Sequence, residues 1–120
     1  MPIQTKLFIG GEFVDALDGA TMDVINPFDG SVIAKVAEAK AADVDRAVEA
    51  ATKAFPAWRD TPAFMRGRLL GKLADAIEAH ADELAELESL DTGHPIRDTK
   101  GLDVPRTAVT FRYFAGMADK

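Results

Sequence analysis

The run Leu87-Glu88-Ser89-Leu90-Asp91-Thr92-Gly93-His94-Pro95 reads as the end of a helix. Leu84, Leu87 and Leu90 carry an apolar stripe up to it at helical spacing. Gly93 is placed to take the left-handed conformation that follows a helix end, and Pro95 forbids continuation. Beyond this stop, a last helix is read over residues 104–118, with Pro105 in its first turn or at a kink within it. Upstream, Met65, Leu69, Leu70, Leu73 and Ile77 share one face of a helix that starts at Thr61-Pro62, Thr61 supplying the capping oxygen. The stripe shifts phase around Ala79-His80-Ala81-Asp82, where a bend or a restart capped by Asp82 fits. Further back, Val44, Ala47, Val48, Ala51 and Phe55 mark another helix. Asp43 and Asp45 favour its start through the helix dipole, and Pro56 ends it or follows its end.

The first forty residues have a different period. Leu7-Phe8-Ile9 and Glu12-Phe13-Val14 flank Gly10-Gly11, a pair that takes positive φ at low steric cost, so a hairpin is expected. Asp18-Gly19 closes a second turn, and Asp23-Val24-Ile25 reads as a short strand. Asn26-Pro27-Phe28-Asp29-Gly30 is a turn, and residues 31–37 alternate as a strand. The layout is therefore α+β: a hairpin or meander, then three helices, the middle one bent or restarted. No linker or shift in composition marks a domain boundary. Few strands leave open edges. The helical stripes look shaped to pack on something absent from the sequence.

A chain of 120 residues is one domain's worth at most. With 14 basic and 20 acidic residues the formal net charge is −6, which argues against nucleic acid or anionic membrane as partners. Cysteine is absent, excluding disulfides and thiolate metal sites and fitting a cytoplasmic protein. No run approaches the ~18 apolar residues of a membrane span, and no secretory signal is visible. His80 and His94 are read as too few and too scattered for a zinc site. Glu86, Glu88 and Asp91 are read as an exposed acidic helix face, and Arg112 as a structural partner for an acid or for backbone oxygens.

Five pieces, in order, resemble the N-terminal part of the aldehyde dehydrogenase superfamily. Asn26-Pro27 with Gly30 is similar to its early Asn-Pro turn. Residues 47–58 are similar to its first helix, ending Ala54-Phe55-Pro56-Ala57-Trp58. Residues 66–70 are similar to its Arg-x-x-x-Leu helix start, and residues 87–95 to its Glu-x-x-Asp-x-Gly-x-Pro motif. Phe111-Arg112-Tyr113-Phe114-Ala115-Gly116-Met117-Ala118-Asp119-Lys120 is similar to its Phe-Arg-Tyr-Tyr-Ala-Gly-Trp-Ala-Asp-Lys stretch. His94 stands where a lysine is common, Phe114 for a tyrosine, and Met117 for a tryptophan.

The resemblance implies oxidation of an aldehyde to an acid with NAD or NADP, through attack by a cysteine thiolate. It places the cysteine, the oxyanion-binding asparagine, the glutamate base and the cofactor-binding Gly-rich turn beyond Lys120. This chain alone is thus expected to be inactive, flanking the cofactor domain of a homodimeric or homotetrameric enzyme. It also implies a structural monovalent cation, held by the Asp91 carboxylate and the backbone carbonyls of Val24 and Ile25. The competing reading of Asp91 is an acid near a helix C-terminus, bonded to a backbone N–H. Asp103-Val104-Pro105-Arg106 is similar to members that oxidise semialdehydes carrying a distal carboxylate. There Arg106 would line the substrate tunnel and grip that carboxylate; a solvated arginine in a first helical turn is the other reading. The rival for the whole chain is a self-contained, non-enzymatic α+β module that binds a protein through its last helix. A free module should melt cooperatively as a monomer, whereas a severed segment should expose apolar surface and self-associate.

Overall fold

A computed structural model describes residues 3–120, which form two compact units, one up to Asp60 and one from Thr61. The sequence carries no linker at that point because the two units are joined directly at Thr61-Pro62, between consecutive helices.

The first unit opens with β1 (Leu7–Ile9) and β2 (Glu12–Val14), paired antiparallel with Leu7 opposite Val14 and Phe8 opposite Phe13. Gly10 and Gly11 between them have φ of 65° and 88°, the two successive positive values a two-residue hairpin turn needs. The exposed Phe8 and Phe13 rings meet across the ladder, centroids 5.0 Å apart. A second antiparallel pair joins β3 (Thr21–Ile25) and β4 (Val32–Ala37), with a bulge at Val24/Ile25. The turn between them is built as its residues demand. The Asn26 side chain accepts from the Phe28 N–H at 2.9 Å, the Asn26 carbonyl from the Gly30 N–H at 2.9 Å, and Gly30 takes φ 76°.

The strands form two separate hairpins rather than a meander: β2 does not pair with β3. The segment joining them is committed elsewhere. Ala16 is buried, and the Leu17 N–H donates to the Asp43 carboxylate at 3.0 Å. Asp43 lies in the first turn of α1 (Ala41–Asp60), and its other oxygen accepts from the Lys40 N–H at 3.1 Å. That is the reaching-back half of a capping box, and it ties the loop to the helix start. The same helix does not stop at Pro56. It runs one further turn and ends at Asp60, because Pro62 disfavours helical geometry at the residue before it.

The second unit contains α2 (Ala63–Ala79), α3 (Ala81–Thr92), α4 (Ile96–Asp98), a π turn (Thr99–Asp103) and α5 (Val104–Met117). Four long helices, not three, thus follow the strands, since the chain breaks at His80 and restarts. Two expected caps are displaced. Pro62, with ψ 138°, occupies the position before α2, and Arg66 donates to the Thr61 carbonyl at 2.6 Å. Asp82 sits inside the first turn of α3 and pairs with Lys100 at 3.0 Å, while His80 meets Glu83 at 3.0 Å. Gly93 ends α3 in the left-handed conformation, φ 74°, its N–H donating to the Ser89 carbonyl at 3.0 Å.

Packing in this unit centres on α2 against α5. Gly67 and Ala74 are buried on α2, facing a partner whose buried residues are Val104 and Ala108. Small side chains let the axes come close: a Cβ on Gly67 would stand 2.7 Å from the Ala115 carbonyl oxygen. Arg112 bridges the pair, donating to Asp75 at 2.8 Å and also to Glu78. The hydrogen bonds to Glu78 and then Asp75 push its already high pKa further up. Its acid partner is therefore found within this chain.

Among the described residues every buried apolar side chain is alanine or valine: Ala16, Ala74, Ala85, Val104 and Ala108. The larger apolar groups on the helical stripes, Phe55, Leu69, Leu73 and Phe114 among them, remain open to solvent. Among the described residues no helix is long and apolar enough to cross a membrane.

Candidate functional site

The richest cluster of chemistry-bearing groups lies where α3 ends and the chain turns back into the π turn. Thr99 anchors that return. It is fully buried, and its hydroxyl proton is shared between the carbonyls of Ala85 at 3.0 Å and Ile96 at 3.2 Å. A π turn directly before Pro105 has a physical reason: proline lacks the N–H for the preceding ladder and its ring crowds the carbonyl four residues back, and a wider turn relieves both.

This return carries Asp103 to His94, whose Nδ1 lies 2.7 Å from the Asp103 carboxylate. The backbone of His94 is held at both ends. Its N–H donates to the Thr92 hydroxyl at 3.2 Å, and its carbonyl accepts from the Ser89 hydroxyl at 2.6 Å. Glu88, one turn before the helix end, completes the group, with one ligand atom of Glu88, His94 and Asp103 all within 4.8 Å of one another. Nothing in the residue spacing points to this grouping. Glu88 and His94 are local, but Asp103 arrives only through the π turn, so His94 is not the scattered histidine it looked.

The residues singled out from the sequence do not gather here. Val24 and Ile25 sit in the first unit, at the bulge of β3, where regular pairing is interrupted. Asp91 lies in the last turn of α3, exposed, and among the described residues its carboxylate takes no hydrogen bond or ion pair. The backbone N–H partner entertained for it is thus not found. Arg106 is exposed in the first turn of α5, and among the described residues no carboxylate is within ion-pair distance of its guanidinium.

Two hairpins followed by helices that pack through small residues now have a counterpart among known proteins. A sequence model of the aldehyde dehydrogenase family matches residues 13–120. The chain belongs to the aldehyde dehydrogenase family. A mitochondrial aldehyde dehydrogenase of Leishmania tarentolae is 50% identical over 118 residues, which are 98% of this chain and 24% of that protein. A solved Burkholderia cenocepacia protein, assigned as an aldehyde dehydrogenase, superposes with TM-score 0.96 at 69% identity, over 98% of this chain and 24% of that one. PnpE, solved in complex with nicotinamide adenine dinucleotide, gives TM-score 0.96 at 64% identity with the same two coverages, 98% and 24%. The chain therefore spans about a quarter (24%) of the length of these relatives and has the N-terminal part of the aldehyde dehydrogenase fold.

Gly10 and Gly11 close a hairpin and Gly93 ends a helix; none forms a Gly-rich turn between a strand and a helix. Gly67 serves helix packing.

Proposed function

We propose that the complete protein is a cytoplasmic, homodimeric or homotetrameric aldehyde dehydrogenase in which this chain flanks the cofactor domain. It would oxidise an aldehyde to a carboxylic acid through a cysteine thiohemiacetal and thioester, with NAD or NADP accepting the hydride, all reacting groups lying outside this chain. The observation that carries the reading is the family match across residues 13–120. A self-contained interaction module fits poorly with burial that, among the described residues, takes only alanine and valine from the apolar side chains.

The substrate class we favour is an aldehyde with a distal carboxylate, gripped by Arg106. Support comes from its uncommitted guanidinium, which costs no broken ion pair on engaging a ligand. In the intact enzyme, followed by NADH absorbance, Arg106→Ala should raise KM for acidic aldehydes about tenfold, the loss of one charge-assisted hydrogen-bond pair. Neutral aldehydes of the same length should keep their KM. Equal effects on both classes would remove the assignment, and no aldehyde-dependent NADH at all would remove the function.

A structural monovalent cation is the second part of the reading, held by Asp91 with the carbonyls of Val24 and Ile25. The bare Asp91 carboxylate and the interrupted ladder at Val24/Ile25 support it, since hard oxygens with unused capacity suit such ions. Sodium or potassium should raise the melting temperature of the intact protein above its value in tetramethylammonium at equal ionic strength. Asp91→Asn should abolish that difference; a wild-type protein indifferent to the cation would refute it.

A further inference from the structure

We propose that Glu88, His94 and Asp103 form a zinc site that fastens the end of α3 to the π turn. The donor set is the first argument. One imidazole nitrogen and two carboxylates are ligands zinc accepts, and three protein ligands with a fourth position left to water is a common open arrangement. Two carboxylates also balance the charge of a divalent ion.

Geometry is the second argument. Ligand atoms of a tetrahedral zinc site lie about 3.3 Å apart, as follows from bonds of about 2.0–2.2 Å. Here one atom from each residue falls within 4.8 Å of the others. The His94 Nδ1 and the Asp103 carboxylate are closer than that, at 2.7 Å, because they share a proton. Zinc takes the proton's place, and the pair needs to open by only about half an ångström. Both side chains are free to do so, being 43% and 28% exposed.

Preorganisation is the third. Thr92 and Ser89 hold the His94 backbone on both sides, and buried Thr99 holds the π turn that presents Asp103. The nearby cation Lys100 is engaged with Asp82 and Glu86, so it does not compete for the site. These contacts fix the two arms before any ion arrives, lowering the ordering cost of binding.

The test is zinc uptake by the intact protein, measured against a chromophoric chelator. The wild type should bind one equivalent more than His94→Ala. Glu88→Gln and Asp103→Asn should each weaken that equivalent at least tenfold, while Asp82→Asn, on the neighbouring acidic face, should leave it unchanged. Equal uptake by wild type and His94→Ala overturns the proposal, as does equal weakening by Asp82→Asn. A measurement on the wild type alone covers the case of a variant that fails to fold. Cobalt(II) in place of zinc should give the visible absorption of a tetrahedral ion and broaden the His94 ring signals; unaffected His94 signals overturn the assignment. None of these readouts depends on aldehyde oxidation, so the site stands or falls separately from the proposed activity.

Discussion

Asp43→Ala is expected to lower the stability of the protein by about 2–4 kcal/mol, read as a fall in the urea midpoint at unchanged slope. The carboxylate is 1% exposed, and it receives the Leu17 and Lys40 N–H groups at 3.0 and 3.1 Å. Alanine removes both acceptors at once. The Lys40 N–H loses its capping oxygen, and the loop that buries Ala16 loses its tie to α1. Arg46, 3.6 Å away, adds less than these two bonds because its side chain is still 39% exposed and the pair is screened by water. Asp43→Asn keeps one accepting oxygen and should cost roughly half as much, by the single hydrogen bond lost. If alanine and asparagine are equally mild, the buried carboxylate is not the tether described.

Gly67→Ala is expected to destabilise by about 1–3 kcal/mol, the usual cost of overpacking a close contact. In an exposed helix the same change stabilises by about 0.5–1 kcal/mol, because glycine loses more backbone entropy on folding. Position decides the sign. The new Cβ would stand 2.7 Å from the Ala115 carbonyl oxygen and 3.5 Å from the Ala118 Cβ, so α2 and α5 must separate. Gly71, four residues on, is the internal control: nothing lies within 4 Å of its would-be Cβ, so Gly71→Ala should raise the melting temperature. A Gly67→Ala protein that melts as high as Gly71→Ala would show that the helix contact is looser than described.

Most of the fold was legible where a few consecutive residues decide the backbone. Gly10-Gly11, the Asn26 turn and Gly93 did what glycine and asparagine do by having little or locally bonding side chains. The last helix began and ended within one residue of its reading. The errors have a common character. Pro56 looked like a stop, yet the cost of one missing hydrogen bond was met and the helix continued to Asp60. Asp82 looked like a cap, yet Lys100, eighteen positions on, gave it a different partner. Residues 96–103 showed no stripe, because a three-residue helix and a π turn are too short to have one.

The sequence alone therefore determined the order of hairpins and helices, the turns between them, and the family. Each depends on backbone preferences and residue spacing that act over one or two turns. The tertiary structure decided which groups meet: Asp43 with Leu17, Arg112 with Asp75, His94 with Asp103. Those pairs are 26, 37 and 9 positions apart. The first exists because the loop after β2 folds back on the start of α1, the second because small residues let α2 and α5 approach, and the third because a π turn before Pro105 brings the chain back. Local spacing encodes none of these.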